Sequence, residues 1–399
     1  MRLARRQSRS SVLTSAFLLL VGQAFLLLVE PLTRANGTFA EVRGIAILVP
    51  DSQGYLRSAE TFTGVFSWPW MRIGYPFLLY VLGLGTDAAQ TVVVVHALAL
   101  VGAGTLLHRH VTGVAGSGPA SFAVAVLLAN PMTAQWVRIV MTESLFFSLV
   151  VVITVLSCRI LAGDRSLPVH ATHLVAASLA LFTRPNGIFV FSSAIALLLI
   201  AHLNGRKRIV AVSVLWTVVL MILPAFNAAV GPPSEGSLTS QLYDGVVVEG
   251  TDHVRVTIAM PAPSDISDES LTAGARYAFA HPVAMLRLGS SRIAYETLQV
   301  RPHYPLIVNL AFGSAMLAYL AVIALGWRQP EARSARTVAV TLSVPLLALT
   351  SATFAVPEGR YGWAYLLPFI PLAAFGVDRL TPIRSRLERS AQASRRSTS

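Results

Sequence analysis

The chain has one cysteine, Cys158, and one lysine, Lys207, in 399 residues. A lone thiol excludes an internal disulfide framework and a cysteine-built zinc site. Charge is scarce too: 13% of residues are charged, against about a quarter in a soluble domain. So few charges cannot make a water-facing surface, so lipid must cover much of the protein. Walker-type loops, HExxH helices, GxSxG elbows and dinucleotide fingerprints are missing from any usable context. Net charge is +12, yet the arginines are scattered between apolar spans and form no recognition motif. The basicity therefore does not point to nucleic acid.

What fills the chain is apolar: 54% of it is hydrophobic. The apolar runs are roughly 16–25 residues long without strict alternation, which fits membrane-crossing helices better than barrel strands. The sequence predicts an all-α polytopic membrane protein with about ten transmembrane helices, over 12–30, 88–107, 119–131, 142–161, 168–183, 186–203, 209–229, 304–326, 337–356 and 361–378. The first run follows Arg2, Arg5, Arg6 and Arg9. It is long and no clean small-x-small site follows it, so it reads as a span and not a cleaved leader. Thr183-Arg184-Pro185-Asn186-Gly187 separates the fifth and sixth runs, with Pro185 suited to the first turn of the sixth helix.

Arginine and lysine bias sets the orientation. With the N-terminus cytoplasmic, the cytoplasmic pieces are the N-terminal tail, the loop at Arg109, the loop with Arg159 and Arg165, Arg206-Lys207-Arg208, the loop with Arg328, Arg333 and Arg336, and the C-terminal tail. These hold 19 of the 31 basic residues but only four acids, Asp164, Glu331, Asp378 and Glu388. Two large loops, 31–87 and 230–303, then fall outside. In the first, Asp51 to Glu60 reads as a short helix after Pro50. In the second, Val246 to Ile258 is strand-like around Gly250. Residues 268–299 look amphipathic and helical, with Leu271, Ala275, Ala278 and Phe279 on one side, as in a helix lying on the membrane surface. The Arg/Ser-rich tail, 383–399, has the composition of a disordered segment. Asn36-Gly37-Thr38 matches a glycosylation sequon, a match common by chance.

Polar residues from five separate stretches map to the outer face: Asp51, Tyr55, Arg72, Asn130, Glu143, Arg184, Arg360 and Tyr361. Asp51 and Tyr55, four apart, share a helix face. The carboxylate reads either as a general base on a hydroxyl or as a cap of its own helix. Arg72 either pairs with a lipid phosphate or snorkels beside an aromatic belt. Glu143 serves a site or offsets the dipole of the helix it opens. Asn130-Pro131 reads as a helix end. Arg184 and Arg360 sit in very short outer turns, where positive charge is disfavoured. Two such arginines point to an anionic ligand, with inert anchoring as the other reading. His108 and His110 read as solvated cytoplasmic loop residues.

Taken in order, these stretches resemble a known family. Pro50-Asp51-Ser52-Gln53-Gly54-Tyr55-Leu56-Arg57-Ser58-Ala59 resembles the first-loop helix of GT-C-fold glycosyltransferases. Arg72-Ile73-Gly74-Tyr75-Pro76 resembles the element that follows it. Asn130-Pro131 and Met141-Thr142-Glu143-Ser144-Leu145 resemble the outer ends of the third and fourth helices. Thr183-Arg184-Pro185, Arg360-Tyr361 and His281-Pro282 resemble later signatures. The nearest group is glycosyltransferase family 39, which includes protein mannosyltransferases and lipid A aminoarabinose transferases.

The resemblance implies a GT-C-like fold: a seven-helix module over 1–229 that includes the first outer loop, the outer loop 230–303, a three-helix module over 304–380 and a cytoplasmic tail over 381–399. It implies transfer of a sugar from a polyprenyl-phosphate donor to an acceptor hydroxyl on a glycolipid, polysaccharide or protein, at the outer membrane face. Asp51 would be the base, with inversion at the sugar carbon. Arg72, Arg184 and Arg360 would hold the donor phosphate. Tyr55, Glu143 and Tyr361 would contact substrate. Many members carry a second acid after the first-loop aspartate; here that position is Ser52, and one carboxylate is a poor divalent-metal site. The expectation is therefore no cofactor and no metal. The alternatives are a transporter or lipid flippase for envelope precursors, which wants charge near mid-membrane, and a non-catalytic envelope-assembly protein, which would leave Asp51 apart from the arginines.

Overall fold

The computed structural model describes residues 2–33, 41–67, 72–229, 238–248, 255–263, 266–268, 270–301, 304–353 and 360–380. The Asn36 sequon and the 383–399 tail lie outside them. Helices dominate. The first is α1 (Arg2–Thr33). A hairpin of β1 (Glu41–Arg43) and β2 (Ala46–Leu48) follows, then α2 (Pro50–Ser58), α3 (Phe62–Val65) and α4 (Gly74–Val81). The bundle continues with α5 (Ala89–Ala115), α6 (Ser117–Leu128), α7 (Pro131–Arg138), α8 (Glu143–Leu161), α9 (Leu167–Thr183), α10 (Gly187–His202) and α11 (Gly205–Ala229). A second excursion holds α12 (Leu238–Tyr243), β3 (Val246–Val248), β4 (Val256–Thr257), α13 (Leu271–Ala280) and α14 (Pro282–Leu298). Then come α15 (Leu306–Trp327), α16 (Arg333–Ala352) and α17 (Arg360–Leu366), which runs on through a 3-10 turn to residue 380.

Among the described residues five segments are long and apolar enough to cross a membrane: Ser10–Leu27, Thr86–Ala115, Glu143–Leu161, Leu306–Trp327 and Pro330–Ala352. The α6–α7 pair, bent by 52°, makes a sixth if counted as one span. This is an all-α architecture compatible with a multi-pass membrane protein. Length and composition alone do not confirm the ten spans expected. For instance, α9 and α10 have 17 and 16 residues, short of the ~20 that a perpendicular crossing takes.

The core centres on α8, which packs against α5, α9, α10 and α16. The bend between α6 and α7 has a local cause. Pro131 cannot continue a hydrogen-bonded helix but suits the first position of a new one, and Asn130 Oδ1 accepts the Met132 N–H at 2.9 Å. Asn130-Pro131 therefore opens α7 as well as closing α6. Into this elbow packs α1: a Cβ on Gly22 would come within 2.9 Å of Ala129 Cα, and Gln23 Nε2 donates to Ala134 O at 2.7 Å.

Several expectations need correction. The loop placed at Arg109 does not exist: α5 continues to Ala115, and the turn is made at Gly116, where φ is 89°. His108 is therefore helical and buried, paired with Ser11 Oγ at 3.0 Å. Pro185 lies in the turn before α10 and not in its first turn. The second excursion does hold a strand pair, β3 with β4. Its helical part breaks at His281-Pro282.

Both excursions meet at one end of the bundle. Ile47 pairs with Ile139, just after α7. Trp363 Nε1 donates to Thr133 Oγ1 on α7 at 2.5 Å, and the Gly362 N–H donates to Glu296 Oε2 on α14 at 2.9 Å. The opposite end holds the turns after α8 and α10, joined by Arg165 Nη1 to His202 Nδ1 at 2.7 Å.

Candidate functional site

The centre of the site is an ion pair. The Arg184 Nη1 to Glu143 Oε1 distance is 2.6 Å, and the side chains are 9% and 0% exposed. The backbone sets both partners. Val140 N–H donates to Ile47 O at 3.1 Å, which fixes the stretch leading into α8 beneath the hairpin, and Glu143 is the first residue of α8. Arg184 leaves α9 in an extended conformation, φ −150° and ψ 152°. The return into α10 depends on Gly187, where a Cβ would overlap the Ala180 carbonyl. The guanidinium carbon lies 5.8 Å from the Phe146 ring centroid, and Thr142 Oγ1 donates to Glu143 Oε2 at 3.3 Å. A buried carboxylate this close fixes the direction of the arginine.

The first excursion brings Asp51, Tyr55 and Arg72 to this pair. Asp51 does not cap α2. Val49 occupies the N-cap, and Ser52 Oγ accepts the Val49 N–H at 3.0 Å. The Asp51 carboxylate is exposed and, among the described residues, makes no hydrogen bond. One turn on, Tyr55 is buried, its ring edge-on to Tyr75 at 5.1 Å and 87°. Burial pushes the Tyr55 hydroxyl above its ordinary pKa. Arg72 and then Arg184 pull it down, while Asp51 and Glu143 push it further up. Four charged side chains from four stretches thus act on one hydroxyl. Tyr75 in turn meets His96 Nε2 at 3.0 Å, and His96 Nδ1 meets Val137 O at 3.3 Å. A carbonyl only accepts, so Nδ1 carries the proton and the Tyr75 hydroxyl donates to Nε2. Arg72 is half-buried where the chain enters α4, and the close seat of Gly74 on α9, with a Cβ position 2.8 Å from Phe182 O, holds it there.

The backbones of Arg360 and Tyr361 open α17; their side chains lie outside the described part of the structure. Gly362 and Trp363, anchored to Glu296 and Thr133, set that first turn beside α7 and α8. Among the described residues no three His, Cys, Asp or Glu side chains lie close enough to hold a metal ion. An apolar cavity of about 570 Å³ lies elsewhere, between α12, α13, α14 and the end of α16, and no charged side chain lines it. The buried charges around Tyr55 lie outside that cavity.

Sequence reasoning missed His96, Glu296 and Thr133. His96 sits inside an apolar helix with no pattern around it. Glu296 falls in an amphipathic stretch whose polar positions look solvated. Thr133 follows Asn130-Pro131 and could have been found only by treating that dipeptide as a helix start. No family model, no curated protein and no solved structure matches the chain.

Proposed function

We propose that the chain is a membrane glycosyltransferase that moves a sugar from a polyprenyl-phosphate donor to an acceptor hydroxyl. The reading places the charged cluster at the outer face of the cytoplasmic membrane, with both termini cytoplasmic. The carrying observation is the convergence of Asp51, Arg72, Glu143 and Arg184 on the Tyr55 hydroxyl. An exposed carboxylate and a buried guanidinium act on the same hydroxyl, which suits an acceptor that arrives from water and a leaving group that is an anion.

In the reaction the acceptor oxygen attacks the sugar's anomeric carbon, and the bond from that carbon to the phosphate oxygen breaks. The electron pair leaves with the phosphate. Asp51 takes the acceptor's proton, and attack opposite the leaving group inverts the centre. Phosphate is a good leaving group, so positive charge rather than a strong acid is what helps its departure. Within the cluster Asp51 and Glu143 offset Arg72 and Arg184. A phosphate site needs a net positive charge, and the reading assigns that further charge to Arg360, at the start of α17. The tight pairing of Glu143 with Arg184 suits Glu143 to aiming the guanidinium.

Incubation of the purified chain with a panel of polyprenyl-phosphate sugars and candidate acceptors tests the reading. Asp51→Asn is expected to abolish transfer while the protein still inserts and keeps its unfolding midpoint. Transfer surviving in that variant removes the assigned base.

A further inference from the structure

The C-terminal half of α14 carries a dense buried polar group that the proposed chemistry does not use. Arg292, Glu296 and Arg301 are 0%, 0% and 1% exposed, an unusual concentration of buried charge in a helix otherwise on the periphery. Its last turn ends at Gln299, which has φ 58° and is the one non-glycine residue with positive φ among the described residues. That conformation is costly for a long side chain. Yet Gln299 is buried and bonded at both ends of its amide, to Glu296 O and to Arg301 Nη2. Arg301 is locked in turn by Asn309, which accepts its N–H at 2.7 Å and donates to its carbonyl at 2.8 Å. Its guanidinium lies 4.2 Å from the Tyr295 ring centroid and 4.0 Å from the Glu296 carboxylate.

Arg292 ties this group to Val246 O on β3 and to Ser351 O and Ala352 O at the end of α16, and Glu296 ties it to α17. Glu296 Oε2 accepts the Gly362 N–H at 2.9 Å, in the first turn of the helix that opens with Arg360 and Tyr361. The approach is close enough that a Cβ on Gly362 would stand 2.7 Å from both Glu296 Cβ and Oε2. A second tie lies one turn further on, where Thr297 Oγ1 and Tyr365 Oη are 2.7 Å apart. Orphan N–H groups in a helix's first turn take acceptors readily. Here the acceptor is supplied by a different segment and held by a strained, fully buried frame.

We infer that Glu296 is a positioning residue. It fixes the first turn of α17, and through it Arg360 and Tyr361, against the donor phosphate. This rests on the proposed transferase reading for the identity of the ligand. The clamp itself is a property of the fold.

The test uses the full chain in nanodiscs, with hydrogen exchange over 360–366 and binding of farnesyl phosphate as a soluble polyprenyl monophosphate. Glu296→Ala is expected to speed exchange in that segment at least tenfold and to weaken farnesyl phosphate binding at least tenfold. Glu296→Gln keeps an acceptor oxygen and is expected to recover both to within about threefold of wild type. Because Glu296→Ala also strips Arg301 of its carboxylate, Gly362→Ala serves as a second variant that perturbs the same contact with every charge retained. It is expected to give the same two changes. Unaltered exchange in both Glu296→Ala and Gly362→Ala overturns the clamp. Faster exchange with unaltered binding overturns the positioning role. Wild-type chain that does not bind farnesyl phosphate at all overturns the transferase reading, and the exchange result still decides the clamp.

Discussion

Removal of one member of the Glu143–Arg184 pair should be among the most damaging changes the protein can suffer. At 2.6 Å between oxygen and nitrogen, the charge centres are about 4 Å apart, an attraction of about 4 kcal/mol at an effective dielectric near 20. Water does not compensate either partner, since the carboxylate side chain is 0% exposed and the arginine side chain 9%. Glu143→Gln leaves a buried guanidinium without its counter-charge, and Arg184→Met leaves a buried carboxylate. Each single change is expected to cost about 3–5 kcal/mol. The double change removes both charges together and should be far less costly than the sum, with a coupling energy of at least ~2 kcal/mol. Equilibrium unfolding of the full chain in mixed micelles, titrated with a denaturing detergent, measures all three. Single variants that lose less than about 1 kcal/mol, or a double variant equal to the sum of the singles, refute the claim that this pair is desolvated and mutually dependent.

Further outcomes follow from the proposed function and from the fold. Arg360→Ala should weaken donor binding more than any other single arginine change, and an unchanged apparent donor affinity in a titration counts against its phosphate role. Gly74→Ala puts a Cβ 2.8 Å from Phe182 O. It should cost about 1–3 kcal/mol and lower transfer by displacing Arg72; full activity at wild-type stability contradicts the close seat. At the opposite end, Asp164 is held at about 2 against an ordinary 3.8, first by the Ser166 hydroxyl and N–H, then by Arg159. A depressed carboxylate pKa stabilises the folded form above 3.8 and loses that effect as pH falls toward 2. Hydrogen exchange at the Ser166 amide should therefore stay protected through pH 3.8 and open only near pH 2. Opening near pH 4 would show that the turn does not hold the carboxylate.

Much of the candidate cluster could be picked out without coordinates, because its members are polar residues beside or between apolar runs. Asp51, Arg72, Glu143 and Arg184 stand out for that reason, and the fold brings these four to one hydroxyl. Their individual roles were less legible. Asp51 followed Pro50 and looked like a cap, but Ser52 closes the turn instead, since its hydroxyl reaches back to Val49. Glu143 fits the first-turn position expected of an acid, yet no pattern reveals that its partner is Arg184, forty-one residues on. His108 shows the converse error. The triplet His108-Arg109-His110 ends an apolar window, whereas the helix continues because charged side chains at a helix end can reach past the apolar zone. The buried charges of α14 were unreadable for a simpler reason. An amphipathic pattern says that one face is polar; it does not say whether that face meets water or another helix.

The bond from Trp363 to Thr133 joins positions separated by 230 residues. Synthesis proceeds from the N-terminus, so all the charged groups of the first two hundred residues are made long before the turn that opens with Arg360 exists. Contacts that close so large a loop form late. A nascent chain halted anywhere before that turn would carry a half-built corner, with α7 lacking its cover and Thr133 lacking its indole. The corner is therefore completed only once the segment that opens with Arg360 has been made. A ribosome-stalled series, assayed for protection of α7 as each length is reached, would time that moment.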